Sequence, residues 1–377
     1  MRTGEPALPL RFLLSAVLFN AAGYVLLPTL PLILHGRGSG PAQVGLVMGS
    51  FTAAALLFRA PVAALLTRTA PEPLLRWGQG AILLGFAAYL VPAGLPPVLV
   101  GRVVQGIGLA AFNTSAYLYL AELAGPGRRA EFVSLFGLAA NVAMGLAPAA
   151  GSLLLDHGGE VALFAVGLVV SAAGIATVPR THLAPAGGAV ARLWEPDAWR
   201  PTAAMLGFAT AYGTVMVFVP LAVAGAGLSQ GWLFFSGYAV AVITTRLTTR
   251  RVLDRGGRLP WAFGGSTAVI AALALLALAR SWPTFLAAAF LFGSGVGTGH
   301  PSLLVYILES VPAQRRSGAA AMGAAAFDAG TAGGAAIAGA VASHLSYAAA
   351  FGASAALFLV LLLPLGLKAA RTKSTRP

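Results

Sequence analysis

Long apolar stretches recur along the whole chain and alternate with short polar connections. About twelve stretches have about 18–26 residues each, the length at which an α-helix crosses about 30 Å of hydrocarbon. They lie near residues 11–34, 42–66, 74–92, 97–121, 131–155, 161–178, 201–223, 230–249, 261–279, 283–308, 317–341 and 346–367. The pattern predicts an all-α membrane protein with twelve transmembrane helices, here called segments 1 to 12.

The composition also indicates a membrane protein. Hydrophobic residues fill 58% of the 377 positions and charged residues only 9%, whereas soluble domains carry about 25% charged residues. This number of charged residues is too small to give a soluble fold a polar surface. Most of the surface must therefore face lipid. There is no cysteine, which excludes disulfides and cysteine-based zinc or iron–sulfur sites. We expect no metal and no cofactor.

Most of the 24 lysines and arginines fall in alternate connections and near the termini. Arg37 and Arg280 fall in the opposite set of connections, and Arg59, Arg102 and Arg246 lie within segments. Because Lys and Arg accumulate in cytoplasmic loops, both termini are predicted to be cytoplasmic. The placement of the basic residues that give the net charge of +13 therefore indicates the orientation in the membrane. We expect no binding to nucleic acid.

The second half of the chain repeats the first at an offset of 187 residues. Matching pairs are Gln43 and Gln230, Arg59 and Arg246, Gly106 and Gly293, Glu122 and Glu309, Asn141 and Asp328, and His157 and His344. Each half holds six segments, an even number, so both halves have the same orientation in the membrane. The repeat predicts an N-terminal half at residues 1–178, a cytoplasmic linker at 179–200 and a C-terminal half at 201–377.

The stretch GRVVQGIGLA at residues 101–110 carries a recognisable motif. Through Arg102, Gln105, Gly106 and Gly108 it resembles the R-x-x-Q-G-x-G-x-A signature in the fourth helix of major facilitator superfamily transporters. The resemblance implies two six-helix halves that work by alternating access. It also implies that segments 1, 4, 5, 7, 8, 10 and 11 line a central cavity, which the arginine faces to handle protons or substrate.

Two further motifs refine the resemblance. RRVLDRGGR at residues 250–258 is similar to the D-R-x-G-R gating signature through Asp254 and Arg255, of which the first half keeps only Arg68. GLAANVAMGLAPAAG at residues 137–151 is loosely similar to an exporter signature. The chain resembles bacterial drug or metabolite:proton antiporters most. This implies proton-coupled efflux of a small organic compound by a monomer in the bacterial cytoplasmic (inner) membrane.

Polar residues recur at helical spacing along segment 4. The stripe consists of Arg102, Gln105, Gly106, Asn113 and Tyr117. Such a stripe is not expected to face lipid, which favours a cavity-facing Arg102; the alternative is snorkelling to the membrane surface. Arg59 and Arg246 lie within about two turns of the cytoplasmic ends of their segments, so they either snorkel to the interface or face the cavity. In the second case the three arginines would make the cavity positive, which favours a substrate with an acidic group.

Asp328 is the one acid in the middle of a segment, and His300 lies mid-segment as well. We predict that Asp328, Arg102 and His300 couple transport to protons; the alternatives are a structural hydrogen bond for the acid and a core position for the histidine. No phosphate-loop motif occurs, so an ion gradient is the expected energy source. The further candidates for the substrate cavity are Asn20, Tyr24, Asn113, Tyr117, Asn141, Tyr212, Tyr238 and Phe327.

Charged residues recur at the predicted cytoplasmic ends of four segments. Glu122 and Glu309 end segments 4 and 10, while Arg68 and Arg255 end segments 2 and 8. A Glu–Arg pair in each half would hold the cytoplasmic face closed and would separate when that face opens. The alternative is a solvated loop pair, which contributes about 0–1 kcal/mol.

Two other functions stay open. An importer or a uniporter would use the same scaffold, and the loose exporter motif is what leaves that alternative open. A membrane-embedded enzyme or a non-transporting sensor is the alternative of another class. An intramembrane hydrolase needs a nucleophile with its base, or a metal site, and no such set of residues is visible in the sequence. We therefore predict a transporter and not an enzyme.

Overall fold

The computed structural model describes residues 7–124, 129–181, 183–185, 194–253 and 258–374. Its helices are α1 Ala7–Tyr24, α2 Leu26–Gly36, α3 Pro41–Leu66, α4 Pro71–Tyr89, α5 Leu95–Ala124, α6 Arg129–Thr177, α7 Trp199–Gly225, α8 Trp232–Leu253, α9 Arg258–Leu278, α10 Trp282–Glu309, α11 Arg316–His344 and α12 Tyr347–Ser374. No strand occurs within these ranges. The protein is an all-α membrane protein, as the sequence predicts.

Some helices differ in outline from the predicted segments. Segment 1 is divided at Val25 into α1 and α2, because Pro28 has no N–H to donate to the carbonyl of Tyr24. Segments 5 and 6 both lie in α6, which is interrupted at Gly159 with φ 69° and ψ −171°, a conformation that glycine adopts readily. Eight described helical stretches are long and apolar enough to cross a membrane, so twelve spans stay a prediction.

The chain divides into two compact units. Unit 1 comprises Met1–Ile33 and Ser50–Val190, and unit 2 comprises Leu34–Gly49 and Ala191–Pro377. In unit 1, α1 packs against α6 and α4 packs against α5. In unit 2, α7 packs against α11 and α12, and α10 packs against α8 and α9. The domain boundaries predicted at residues 178 and 201 stay a prediction.

One close helix crossing occurs in both units and follows the internal repeat. A Cβ atom on Gly106 would lie 2.1 Å from the carbonyl oxygen of Phe51, and one on Gly293 would lie 2.5 Å from that of Tyr238. Phe51 and Tyr238 are themselves 187 residues apart. Because small residues let helix backbones approach closely in lipid, these glycines allow α3 to cross α5 and α8 to cross α10 in the same way.

At each described end of the predicted linker, a buried glutamate makes a contact that fixes the chain. Arg315 donates to Glu195 at 2.9 Å and to Asp197 at 2.6 Å. The hydrogen bond to Asp197 raises the pKa of Arg315 above its usual range, so the guanidinium stays charged. In unit 1, the hydroxyl of Thr181 donates to the carboxylate of Glu72. Each end is therefore held to its own unit.

Candidate functional site

Arg102 lies inside unit 1, with 4% of its surface exposed. The central carbon of its guanidinium lies 4.4 Å from the centre of the Phe51 ring. Its Nη1 donates to Gln105 Oε1 at 3.3 Å, and the hydroxyl of Tyr89 donates to the same oxygen at 2.6 Å. The aromatic face and the amide oxygen offset part of the cost of burying a charge. Its role in transport stays a prediction.

Two glycines make room for this polar network. A Cβ on Gly85 would lie 2.3 Å from Gln105 Cγ, and one on Gly101 would lie 2.5 Å from Tyr89 Cε1. Gln105 Nε2 also donates to the carbonyl of Ile82 at 3.4 Å. Gln105 therefore joins α5 to α4 and gives the buried guanidinium an acceptor.

The other candidates of unit 1 are more accessible. Asn20 and Asn141 each donate to a carbonyl one turn earlier in their own helix, at 2.7 and 2.8 Å. Asn113 and Tyr24 are partly exposed, and Tyr117 is 52% exposed. The stripe predicted on segment 4 thus has a buried end at Arg102 and an accessible end at Tyr117.

Four candidates of unit 2 meet in one group of rings, which we call the aromatic cluster. His300 lies 5.0 Å from Phe327, and Tyr212 lies 5.5 Å from Phe327, between ring centres. Phe292 joins the group at 6.2 Å from Tyr212 and 5.7 Å from Tyr238. Because the rings come from α7, α8, α10 and α11, helix packing brings them together.

Arg246 on α8 gives the aromatic cluster a positive side. It lies near enough to Tyr212 and His300 to act on both electrostatically. The Nε of Arg246 is buried without a hydrogen-bond partner among the described residues. The sequence prediction counted Arg246 toward the charge of the cavity, with snorkelling to the membrane surface as the alternative. Two features of the sequence could have indicated a role in the site: Arg246 stands alone in an apolar segment, and Arg59 occupies the equivalent position in the first half.

Asp328 lies on α11 beside Phe327 in the sequence and is 5% exposed. An ionised carboxylate at such a depth is costly unless it is paired, so it needs a partner or a proton. At the offset of 187 residues, Asp328 corresponds to Asn141 and His300 corresponds to Asn113. Asp328 and His300 thus have neutral amides as counterparts in unit 1.

The predicted gating residues are only partly described. Glu309 Oε1 lies 3.9 Å from Arg258 Nε, with both side chains partly exposed. Two of the predicted gating residues, Asp254 and Arg255, lie outside the described residues. In the first half, Arg68 and Glu122 are exposed, and the structure describes no ion pair between these two side chains. The latch therefore stays a prediction, with Arg258 as an additional arginine near Glu309.

Comparisons of sequence place the chain among known transporters. The profile of the Major Facilitator Superfamily matches residues 12–279 and 201–377. The chain is also similar to a protein of Staphylococcus aureus (strain Mu50 / ATCC 700699) named "Staphylopine export protein". The two are 23% identical over 319 residues, which cover 79% of this chain and 78% of the relative.

Solved structures share the fold. A crystal structure of a POT family transporter in complex with a thioalcohol-conjugated peptide aligns with a TM-score of 0.82 at 11% identity, covering 99% of this chain and 98% of that one. A crystal structure of a mutant of the nucleoside transporter NupG aligns with a TM-score of 0.76 at 16% identity, covering 94% and 98%. At these identities the likeness concerns the fold alone.

Proposed function

The chain belongs to the major facilitator superfamily, and we propose that it exports a small organic compound with an acidic group in exchange for protons. It is a multi-pass membrane transporter of the secondary type, acts on a small-molecule substrate, and is not an enzyme. We further propose that it works as a monomer in the bacterial cytoplasmic membrane, with both termini in the cytoplasm.

The aromatic cluster and its cationic neighbour are the observation that carries this proposal. A guanidinium pairs well with a carboxylate, since charge-assisted hydrogen bonds are about twice as strong as neutral ones. Arg246 has a buried Nε without a described partner, and Tyr212 and Tyr238 add hydroxyl groups. The rings of Phe292 and Phe327 offer apolar faces to the rest of the substrate. The group thus suits an acidic compound with an apolar or planar body.

Efflux is supported by two observations. The relative from Staphylococcus aureus is named as an export protein, and segment 5 is loosely similar to an exporter signature. Import or uniport on the same scaffold is the second candidate, because the match is loose: Ala147 and Ser152 stand where the signature has glycines. The direction of substrate movement in oriented vesicles separates these functions.

Proton coupling is supported by Asp328. The neutral, protonated acid costs far less to bury than the ion, so this group is suited to carry a proton through the membrane. Unit 2 then holds a fixed cation, Arg246, and a group that can release a proton, Asp328. If the acidic substrate and the proton occupy these groups alternately, exchange proceeds without a proton leak.

The test of substrate class is flux in proteoliposomes with an imposed pH gradient. A panel of small carboxylic acids is compared with the matching amides, which lack the negative charge. We expect transport of acids only, and a loss of at least about tenfold in Arg246→Gln, because a charge-assisted hydrogen bond contributes about 1.5–3 kcal/mol. Arg280→Gln, which removes an exposed cation from a connection outside the candidate site, is the matched control. Equal flux of acids and amides would refute the proposed substrate class.

The same vesicles test the coupling ion. Asp328→Asn copies the shape of the protonated acid but cannot release a proton. We expect this variant to lose accumulation driven by the pH gradient and to keep exchange of labelled for unlabelled substrate, which moves no net proton. Wild-type accumulation by the asparagine variant would mean that coupling lies at His300 or in another ion.

A further inference from the structure

An apolar groove runs along unit 1 between α3, α4 and α5. It encloses about 570 Å³, and Phe58, Leu65, Leu84 and Ile107 are among its lining residues. Several of these side chains are exposed, including Leu84 at 61%. In a protein that spans a membrane, an apolar surface of this kind is in contact with lipid. We call it the α3–α4–α5 groove.

The depth of the groove matches one leaflet of a bilayer. Its lining on α4 extends from Leu74 to Leu84, which is about 15 Å at 1.5 Å per residue. Half of a hydrocarbon core of about 30 Å has the same depth. The Leu74 end lies next to the connection between α3 and α4, which carries the exposed Arg68. The groove therefore runs from a basic membrane surface toward the bilayer centre.

A cation and an indole ring lie at the same end of the groove. Arg76 lines the groove and donates to the carbonyl of Pro179 at 2.9 Å. Trp77 lines the groove beside it and is 67% exposed, as suits an aromatic residue at headgroup level. Among the described residues, none of those that line the groove is acidic. The carboxylate of Glu72 in the first turn of α4 is buried and accepts a hydrogen bond from Thr181.

The second half of the chain lacks the same combination. The residues at the equivalents of Phe58, Ile107 and Ala111 are Thr245, Ser294 and Thr298, and those at the equivalents of Arg76 and Trp77 are Phe263 and Gly264. Thr245 donates to Ser294 at 3.3 Å. The repeat thus supplies a helix surface of the same design that carries polar side chains and no cation at the equivalent of Arg76, while its indole ring, Trp261, stands at the equivalent of Leu74.

We propose that the α3–α4–α5 groove binds an acyl chain of an anionic phospholipid, whose phosphate pairs with Arg76. A basic pocket between membrane helices suits an anionic headgroup, and the apolar lining suits the chain. The site concerns the lipid around the transporter, so it does not depend on the transported compound or on the direction of transport.

Quenching of Trp77 fluorescence measures the occupancy of the groove. Wild-type protein is reconstituted with a small fraction of phosphatidylglycerol or phosphatidylcholine that carries bromine on its acyl chains, and Trp77→Phe isolates the signal of this residue. We expect about fivefold enrichment of the anionic lipid, which corresponds to about 1 kcal/mol at 1.4 kcal/mol per tenfold. Arg76→Gln should abolish the preference.

A second variant tests the groove itself. Gly80 lines the groove, and a Cβ atom added to it would have no neighbouring atom within 4 Å, so Gly80→Leu should fill the groove without disturbing helix packing and should lower quenching by both lipids. Gly264→Leu is the matched control, because that position on α9 is equally open. The proposal is overturned if both lipids quench wild-type protein equally or if Gly80→Leu quenches like wild type. It is also overturned if inorganic phosphate removes the preference, since the site would then bind a free anion.

Discussion

Replacing Gln105 with leucine should impair transport far more than its effect on stability explains. Gln105 accepts hydrogen bonds from Tyr89 and Arg102 and donates to the carbonyl of Ile82. Leucine has a similar size and makes none of these bonds. The guanidinium of Arg102 would lose the amide acceptor that the structure describes, and its position over Phe51 would no longer be fixed from that side.

The loss of stability should be modest. Two of the three bonds join α5 to α4, and such interhelical bonds contribute about 0.6 kcal/mol on average and at most about 1.7 kcal/mol in a membrane. Loss of these two bonds in Gln105→Leu should therefore cost about 1–3 kcal/mol. The equivalents of Tyr89, Arg102 and Gln105 in the repeat are Leu276, Ala289 and Phe292. All three are buried, so the same place in the fold can be filled without polar groups.

Gln79 provides a matched control for the same substitution. It is fully buried on α4 and donates to the carbonyl and the hydroxyl of Ser15 at 2.9 and 3.1 Å. Gln79→Leu thus also removes interhelical bonds, and no interaction between Gln79 and Arg102 is described. Thermal unfolding in detergent should show similar losses for both variants, while flux in proteoliposomes should fall at least tenfold only in Gln105→Leu. Wild-type flux in that variant, or equal losses of flux in both, would mean that the network is purely structural.

Two further predictions concern gating and topology. Glu309→Gln should weaken the contact with Arg258 and speed the labelling of a cysteine in the cytoplasmic half of the cavity, by at most about fivefold because an exposed pair contributes about 0–1 kcal/mol. An unchanged labelling rate would indicate a solvated pair. A cysteine at Ser39 should react with an impermeant thiol reagent in intact cells, whereas one at Ser317 should not. The cysteine-free parent is the control, and the reverse pattern would overturn the proposed orientation.

The helices were predictable from the sequence because lipid leaves the backbone few choices. Within hydrocarbon every N–H and C=O group must be bonded inside the protein, so a long apolar stretch forms a helix. Interruptions inside helices were harder to place. The break at Val25 follows from Pro28, which the sequence displays, yet prolines such as Pro148 lie inside an uninterrupted part of α6. Whether a proline interrupts a helix depends on the neighbouring groups that replace the lost hydrogen bond.

The partners of the candidate residues were not predictable in the same way. Arg102 and Gln105 are three positions apart on one helix, so their contact follows from helical geometry. Tyr89 comes from α4 and reaches them because Gly85 and Gly101 allow a close approach. That approach is a property of the packed helices and has no local signature in the sequence.

The burial of two glutamates was also not predictable from the local sequence. Glu72 and Glu195 fall in polar parts of the sequence, where exposed side chains are the ordinary expectation. In the fold, Thr181 contacts Glu72 and Arg315 contacts Glu195. Each partner lies more than a hundred positions away along the chain. Only the tertiary fold brings these partners together, so no window of sequence could have identified the two carboxylates as buried.

The two halves of the internal repeat share glycines that allow close helix packing but differ in several charged and titratable groups. Gly106 and Gly293 occupy equivalent crossings, because both halves need the same close approach of helices. Some charged and titratable groups are not kept in this way: Arg102 has an alanine as its counterpart, while His300 and Asp328 have asparagines. An arginine stays charged under all ordinary conditions and cannot exchange a proton, whereas a histidine or an aspartate can. Exchange of an acidic compound for a proton needs a fixed cation and a titratable group. The cation proposed for this role, Arg246, recurs at Arg59, whereas the titratable His300 and Asp328 have neutral counterparts in the first half.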